Sequence, residues 1–211
     1  MITVTTVTAR PVILLVGGAT GTGKSTVAAE VAHRLGITRV TSTDVVRQTL
    51  RAVFTEDYMP SIHRSTFDPG DGESLLGRFV EQTTNVLTAV DATIARALEE
   101  RWSMVIEGVH VVPGILDLEA SEAVFVECVL AIPDEEAHAS HFWIRDAASN
   151  GVRPVKKYLD HLREIRQLQD FILERAVGSN VPVIENVSME QTVGAVIDLV
   201  LRTAAEQFER V

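Results

Sequence analysis

The chain has 211 residues, 46% hydrophobic and 23% charged, with 19 Lys and Arg against 29 Asp and Glu and a formal net charge of −10. That balance disfavours nucleic acid and anionic lipid as partners, and no apolar run reaches the ~18 residues of a membrane-spanning helix. The single cysteine, Cys128, excludes an internal disulfide and a Cys-rich metal site.

The start, MITVTTVTARPVILLVGG, lacks a basic stretch, an apolar core and a small-residue cleavage site in that order, so the expected location is the cytoplasm. The first element is the continuous apolar run 11–18, a buried strand by its length and its closing glycine. Val27, Ala28, Val31, Ala32 and Leu35 then fall on one helical stripe, which Gly36 ends. Residues 37–42 read as a second strand. A long helix follows from about Glu73 to Glu100, with Leu76, Phe79, Val80, Val86, Leu87, Val90 and Ile94 near one face. Residues 103–108 and 123–132 are a third and a fourth strand, and Cys128 is a small core residue of the latter. Asp134 can cap a helix whose first turn holds Glu135 and Glu136. A second long helix is expected over roughly 155–177 and a fifth strand over 181–186. Ser188 and Gln191 fit a capping box ahead of a final amphipathic helix. Two stretches, 55–73 and 145–157, are polar and without periodicity and read as ligand-binding or moving loops.

Apolar strands separated by helices predict one α/β domain over 1–211, a three-layer fold with a five-stranded parallel sheet and helices on both faces.

Gly18 to Ser25 reads GATGTGKS and matches G-x-x-x-x-G-K-[ST], the P-loop, between a predicted strand and a predicted helix. The glycines let backbone N–H groups turn inward around a phosphate, and the helix that follows adds the positive end of its dipole. The expected nucleotide contacts are Gly18, Ala19, Thr20, Gly21, Thr22, Gly23, Lys24, Ser25 and Thr26. Lys24 serves the β- and γ-phosphates and Ser25 serves Mg²⁺. Neither the Asn-Lys-x-Asp string that reads guanine nor the Asp-x-x-Gly string of a switch GTPase occurs. Strand three ends in Glu107 where a Walker B strand would carry Asp, and a carboxylate there can hold a Mg²⁺-bound water. The competing reading is a strand-end Glu facing solvent.

In a parallel sheet the carboxyl ends of the strands form the ligand crevice. Asp44, just past strand two, therefore lies beside the cradle, where it can orient or deprotonate an acceptor hydroxyl. Arg47, three residues on, can fork onto an anionic acceptor. The competing readings are a helix N-cap for Asp44 and a surface charge for Arg47.

Together, GGATGTGKSTVAAEVAHRLGI, TSTDVVRQTLR, SIHRSTF, VIEGVHVVPG, YLDHLREIRQLQDFILERA and VPVIEN resemble the P-loop kinase domain of the 2-phosphoglycerate kinases, from about residue 12 to 190. The resemblance implies phosphorylation of 2-phosphoglycerate to 2,3-bisphosphoglycerate by ATP with Mg²⁺. It also implies ATP contacts at Gly18 to Thr26 and Asp44 near the acceptor hydroxyl. Archaeal members resembling this chain carry an extra N-terminal domain of regulatory type.

A phosphorylated hydroxy acid requires fixed cations. The candidates are His63 and Arg64, with the hydroxyls of Ser65 and Thr66, and then His110, Arg145, Arg153, Lys156 and Lys157. The segment 142–158 stands where related small-molecule kinases place a lid. Arg145 and Arg153 are its expected catalytic cations and Lys156 a substrate contact. Asn186 stands near where adenine lies in such kinases and reads as a base or loop contact, with a turn residue as the competing reading. His33, His138, His141 and His161 read as structural, Arg166 as pointing into the site, and Gln82 as a surface residue of the long helix, with a place in the acceptor pocket as the competing reading.

Two alternatives stay open. One is a kinase of another hydroxyl, such as a sugar acid, an antibiotic or a nucleotide-sugar in the manner of zeta-toxin-like kinases. The other is a nucleotide-sensing module without turnover, for which Asp44 and a basic lid would be superfluous. A homodimer is also open.

Overall fold

The computed structural model describes residues 10–67, 72, 74–116, 123–148 and 155–209. Five strands form one sheet: β1 (Val12–Gly17), β2 (Arg39–Ser42), β3 (Met104–Glu107), β4 (Val124–Ala131) and β5 (Val183–Glu185). Their order is β2-β3-β1-β4-β5 and every pairing is parallel. The helices are α1 (Lys24–Leu35), α2 (Thr43–Val53), α3 (Pro60–His63), α4 (Leu75–Glu99), α5 (Glu135–Ala148), α6 (Val155–Leu159), α7 (Leu162–Gly178) and α8 (Met189–Glu209).

Alternation along the strands builds the three layers. Val12, Leu14 and Val16 point to one face and pack with Val27 and Val31 of α1 and with Val193, Val196 and Val200 of α8. Ile13 and Leu15 point to the other face and meet Val86, Val90 and Ile94 of α4. Val129 continues that face against Leu168 and Ile172 of α7. Each fully buried Val, Leu or Ile contributes on the order of 1.5–3 kcal/mol by leaving water.

Local chemistry sets the helix ends. Gly36 adopts φ 70°, and the Ile37 amide donates back to the Ala32 carbonyl at 2.8 Å, which closes α1. The Ser74 hydroxyl accepts from the Gly77 amide at 3.0 Å and starts α4. Asp134 Oδ1 accepts from the Ala137 amide at 2.7 Å at the head of α5. The Ser188 hydroxyl accepts from the Gln191 amide at 3.4 Å, which is half of the expected capping box at α8.

Three expectations are corrected. The single helix predicted over 155–177 is two, α6 and α7, broken at Asp160–His161. The break lets Tyr158, Leu159 and Leu162 pack on Ala19 and Phe142, while Leu168 and Ile172 cover the sheet. Residues 145–148, expected in a loop, complete α5, and 60–63 form α3 inside the other expected loop. The remainder of the proposed lid, 149–154, lies outside the described residues. Among the described residues no helix is long and apolar enough to cross a membrane.

Candidate active site

The parallel register brings three strand ends level. Val16 pairs with Glu107, and Glu107 pairs with Ser42. The chain leaving β1, β2 and β3 therefore opens on one edge of the sheet, as the crevice rule requires. A crevice of about 490 Å³ lies there. Thr20, Gly21, Gly23, Lys24, Ser25 and Thr26 line it together with Asp44 and Glu107.

The P-loop is held from both flanks. Gly21 takes φ 90°, and a side chain there would run into the Phe142 ring. His138 Nε2 donates to the Thr20 carbonyl at 2.8 Å, and His141 Nδ1 lies 3.1 Å from the Gly21 carbonyl. Burial lowers the His138 pKa and so favours its neutral form. Phe142 stacks on His138 on one side and on Tyr158 of α6 on the other. From the opposite flank Asn186 Nδ2 donates to the Thr22 carbonyl at 2.9 Å, and Asn186 Oδ1 accepts from the Thr192 hydroxyl at 2.9 Å. Inside the loop, the Thr22 hydroxyl and Lys24 Nζ donate to the Ala19 carbonyl at 2.9 and 2.6 Å. Gly18, Ala19 and Thr22 are buried in the loop's wall.

Ser25 and Glu107 meet. The Ser25 hydroxyl donates to Glu107 Oε1 at 3.0 Å, and Glu107 is 5% exposed. The solvent-facing reading of Glu107 is thereby removed. The pair is a hard-oxygen donor set of hydroxyl and carboxylate, which suits Mg²⁺ held partly by phosphate oxygens. Among the described residues no group of three or more His, Cys, Asp or Glu could hold a metal on its own.

Asp44 stands in the first turn of α2 with an exposed side chain that lines the crevice. The N-cap of α2 is Ser42, whose hydroxyl accepts from the Asp44 amide at 3.2 Å, so the capping role assigned to Asp44 as an alternative belongs to Ser42.

Several other candidates lie elsewhere. Arg47 Nε and Nη2 donate to the carbonyls of Ile62 and Arg64 at 2.8 and 2.6 Å, tying α2 to the segment that carries α3. His63 Nε2 donates to the Phe54 carbonyl at 2.8 Å, and Arg64 is exposed. Lys156 is exposed on α6 and is not among the crevice-lining residues. Arg145 lies on the backbone of α5, and its side chain is outside what is described; Arg153 lies outside the described residues. Arg166 donates to the carbonyls of Ile132 and Pro133 at 2.6 and 2.7 Å, and so ties α7 to the end of β4 rather than reaching the crevice.

Two readings are reversed. Gln82, expected at the surface, is 3% exposed. Its Nε2 donates to the carbonyls of Ser61 and Arg64 at 2.6 and 3.1 Å, which leaves Oε1 as the accepting end. That oxygen lies 3.1 Å from both the Thr66 hydroxyl and His110 Nε2. His110, expected to offer charge to a substrate, is 1% exposed. With Nε2–H donating to Gln82, its Nδ1 accepts from the Thr43 hydroxyl at 3.0 Å. Burial pushes its pKa down to about 4, so it is neutral and cannot serve as a cation near pH 7.

Gly108, Val109, Ile144, Val187 and Met189, not singled out by sequence, also line the crevice, as does His141, which reads as structural in the sequence.

Residues 12–141 match the protein family described as AAA domain. The 2-phosphoglycerate kinase of Pyrococcus horikoshii is 39% identical over 203 residues, which cover 93% of this chain and 66% of that protein. The one from Methanopyrus kandleri is 35% identical, covering 90% and 61%, and the one from Methanothermobacter thermautotrophicus is 36% identical, covering 95% and 69%. The chain thus spans just under two thirds of the length of the first two of these relatives. Among solved structures, a gluconokinase from Sinorhizobium meliloti is similar with a TM-score of 0.55 at 15% identity, covering 95% of this chain and 98% of that one. A shikimate kinase from Acinetobacter baumannii is similar with a TM-score of 0.50 at 17% identity, covering 95% and 94%. These two likenesses concern the fold.

Proposed function

Since the chain belongs to the 2-phosphoglycerate kinase family, we propose that it is an ATP-dependent phosphotransferase. It moves the γ-phosphoryl group to a hydroxyl of an anionic metabolite, and 2-phosphoglycerate is the acceptor that best fits its relatives. The observation that carries this reading is the crevice that Asp44 and the P-loop residues line together.

The backbone N–H groups of the loop from Gly18 to Thr26, at the head of α1, bind the phosphate chain. Lys24 extends its ammonium along the same wall and neutralises charge that develops on the transferred group. Ser25 and Glu107, hydrogen-bonded to each other, would hold Mg²⁺, which when bound would supply charge neutralisation at the phosphate oxygens. Asp44 orients the acceptor hydroxyl and accepts its proton as the acceptor oxygen bonds to the γ-phosphorus and the bond from that phosphorus to the bridging oxygen breaks, releasing ADP. Arg145, Arg153 and Lys156, on or beside the segment 142–158, would bring positive charge over the phosphates and exclude water on closure. Asn186 serves the nucleotide by fixing the Thr22 carbonyl rather than through the base alone.

The test is an ADP-release assay with ATP, Mg²⁺ and a panel of 2-phosphoglycerate, 3-phosphoglycerate, gluconate and shikimate. The last two come from the acceptors named by the similar folds. Turnover with 2-phosphoglycerate well above the others supports the reading. Turnover with gluconate or shikimate alone would move the acceptor while keeping the chemistry. ATP binding without turnover on any acceptor would favour a nucleotide-sensing module.

A further inference from the structure

Between α2 and α4 runs a chain of polar side chains that the transfer chemistry does not require. It begins at Thr43, which is fully buried and adjacent to Asp44. It passes through His110, at the loop after β3, to Gln82 in the third turn of α4. Gln82 then takes hold of the segment 61–66 at three points: the Ser61 carbonyl, the Arg64 carbonyl and the Thr66 hydroxyl. Asn85, one turn further along α4, donates to the Ser61 hydroxyl at 2.7 Å. Arg47, one turn after Asp44 on α2, grips the same segment at Ile62 and Arg64.

The segment so held does not itself line the crevice. Its next residue, Phe67, stacks on His161 between α6 and α7. Phe67 also packs with the cluster formed by Ala19 of the P-loop, Phe142 and Ile165. The segment thus bridges the Asp44 helix and the P-loop flank. A polar network buried this deeply is costly unless every member is satisfied. Here both nitrogens of His110 and both ends of the Gln82 amide are satisfied. An apolar residue at position 82 would leave the Ser61 and Arg64 carbonyls, the Thr66 hydroxyl and His110 Nε2 without this partner, so the amide is what joins α4 to both His110 and the segment 61–66.

We propose that Gln82 is a positioning residue for Asp44. Acting through His110 and Thr43 on one side, and on the other through the Ser61 and Arg64 carbonyls of the segment that Arg47 also grips, it fixes the start of α2 and with it the placement of Asp44. The proposal rests on the phosphotransferase reading above and deepens it on the acceptor side. Near-attack geometry is sensitive to displacements of the order of 1 Å, so slack in this relay acts on acceptor alignment at Asp44 and leaves the P-loop alone.

The test uses Gln82→Met, which keeps the volume and removes the amide, together with Thr43→Val and Thr43→Ser in the full chain. Two measurements are made: steady-state kinetics with 2-phosphoglycerate and ATP, and amide hydrogen exchange in the presence of ATP and Mg²⁺. The expected result is an acceptor KM raised ~10-fold or more in Gln82→Met and Thr43→Val, with the ATP KM within about twofold of the parent. Thr43→Ser, which keeps the hydroxyl, restores the parent value. Exchange should accelerate at Arg64 and Phe67, whose amides donate to Pro60 O and Ser65 Oγ, with the P-loop amides unchanged. Parent-like acceptor KM, or an equal rise in both KM values, overturns the proposal. If the parent protein turns over none of the acceptors, the functional reading fails separately. The relay is then judged by exchange alone: acceleration confined to 61–67 upholds it, and unchanged exchange overturns it.

Discussion

The Ser25 hydroxyl donates to Glu107 Oε1 at 3.0 Å across 82 positions of sequence, joining the first turn of α1 to the last residue of β3. The bond exists because β1 and β3 are paired neighbours with Val16 level with Glu107. It places a carboxylate at the point where the P-loop helix begins, and a carboxylate opposes the helix dipole's attraction for phosphate unless a cation lies between them. Glu107→Gln keeps an accepting oxygen for Ser25 and removes the charge. The expected outcome is a Mg²⁺ requirement raised by ~10-fold or more in activity titrations, with little change in melting temperature.

Lys24 is 8% exposed, and its ammonium donates to the Ala19 carbonyl at 2.6 Å. Lys24→Ala leaves that carbonyl with the Thr22 amide and hydroxyl as donors, so the loop retains its internal bonding. Turnover should fall by ~10³-fold or more through lost charge stabilisation. Calorimetric unfolding of the two proteins, run beside the kinetics, should show melting temperatures within a few degrees of each other.

His110 gives a pH dependence of stability with a definite sign. Its ordinary pKa of 6.5 is lowered to about 4 in the fold, chiefly by burial; Arg47 and Lys24 lower it further and Asp44 raises it. Between these values the unfolded chain binds the proton and the folded chain does not, so stability falls as the pH drops from about 6.5 to about 4. The full effect, reached below the lower value, is on the order of 3 kcal/mol. His110→Gln keeps a donor for Gln82 and an acceptor for Thr43 without titrating. Denaturant unfolding of both proteins across this range should show a shallower loss in the variant; parallel curves would remove His110 as the source.

The parts of the molecule that were legible in advance are those in which one physical demand dominates. Val12–Gly17 is buried on both faces and is written as an unbroken apolar run, and Val124–Ala131 departs from one only at Glu127. The P-loop is written in glycines because its backbone turns where side chains collide, as at Gly21 against Phe142. Helix α2 gave no comparable signal. Thr43 is its only fully buried residue, and its stripe of Val46 and Leu50 is short and only partly buried against the core. Gln82 and His110 were misread for a related reason. Composition assigns an amide to the surface and an imidazole near a crevice to the substrate, but here each satisfies the other at a distance of 28 residues. His138 and His141, read simply as structural, turn out to support the P-loop carbonyls of Thr20 and Gly21. A long-range polar pair of this kind leaves no periodicity in a single sequence.

The central claim is that Asp44 and the phosphate cradle act on one transfer. It is tested most directly by measuring ATP affinity and turnover together in Asp44→Asn with 2-phosphoglycerate as acceptor. The account predicts an ATP dissociation constant within about twofold of the parent and a kcat lower by ~10²-fold or more. A variant that binds ATP as the parent does and turns over at the parent's rate would contradict it.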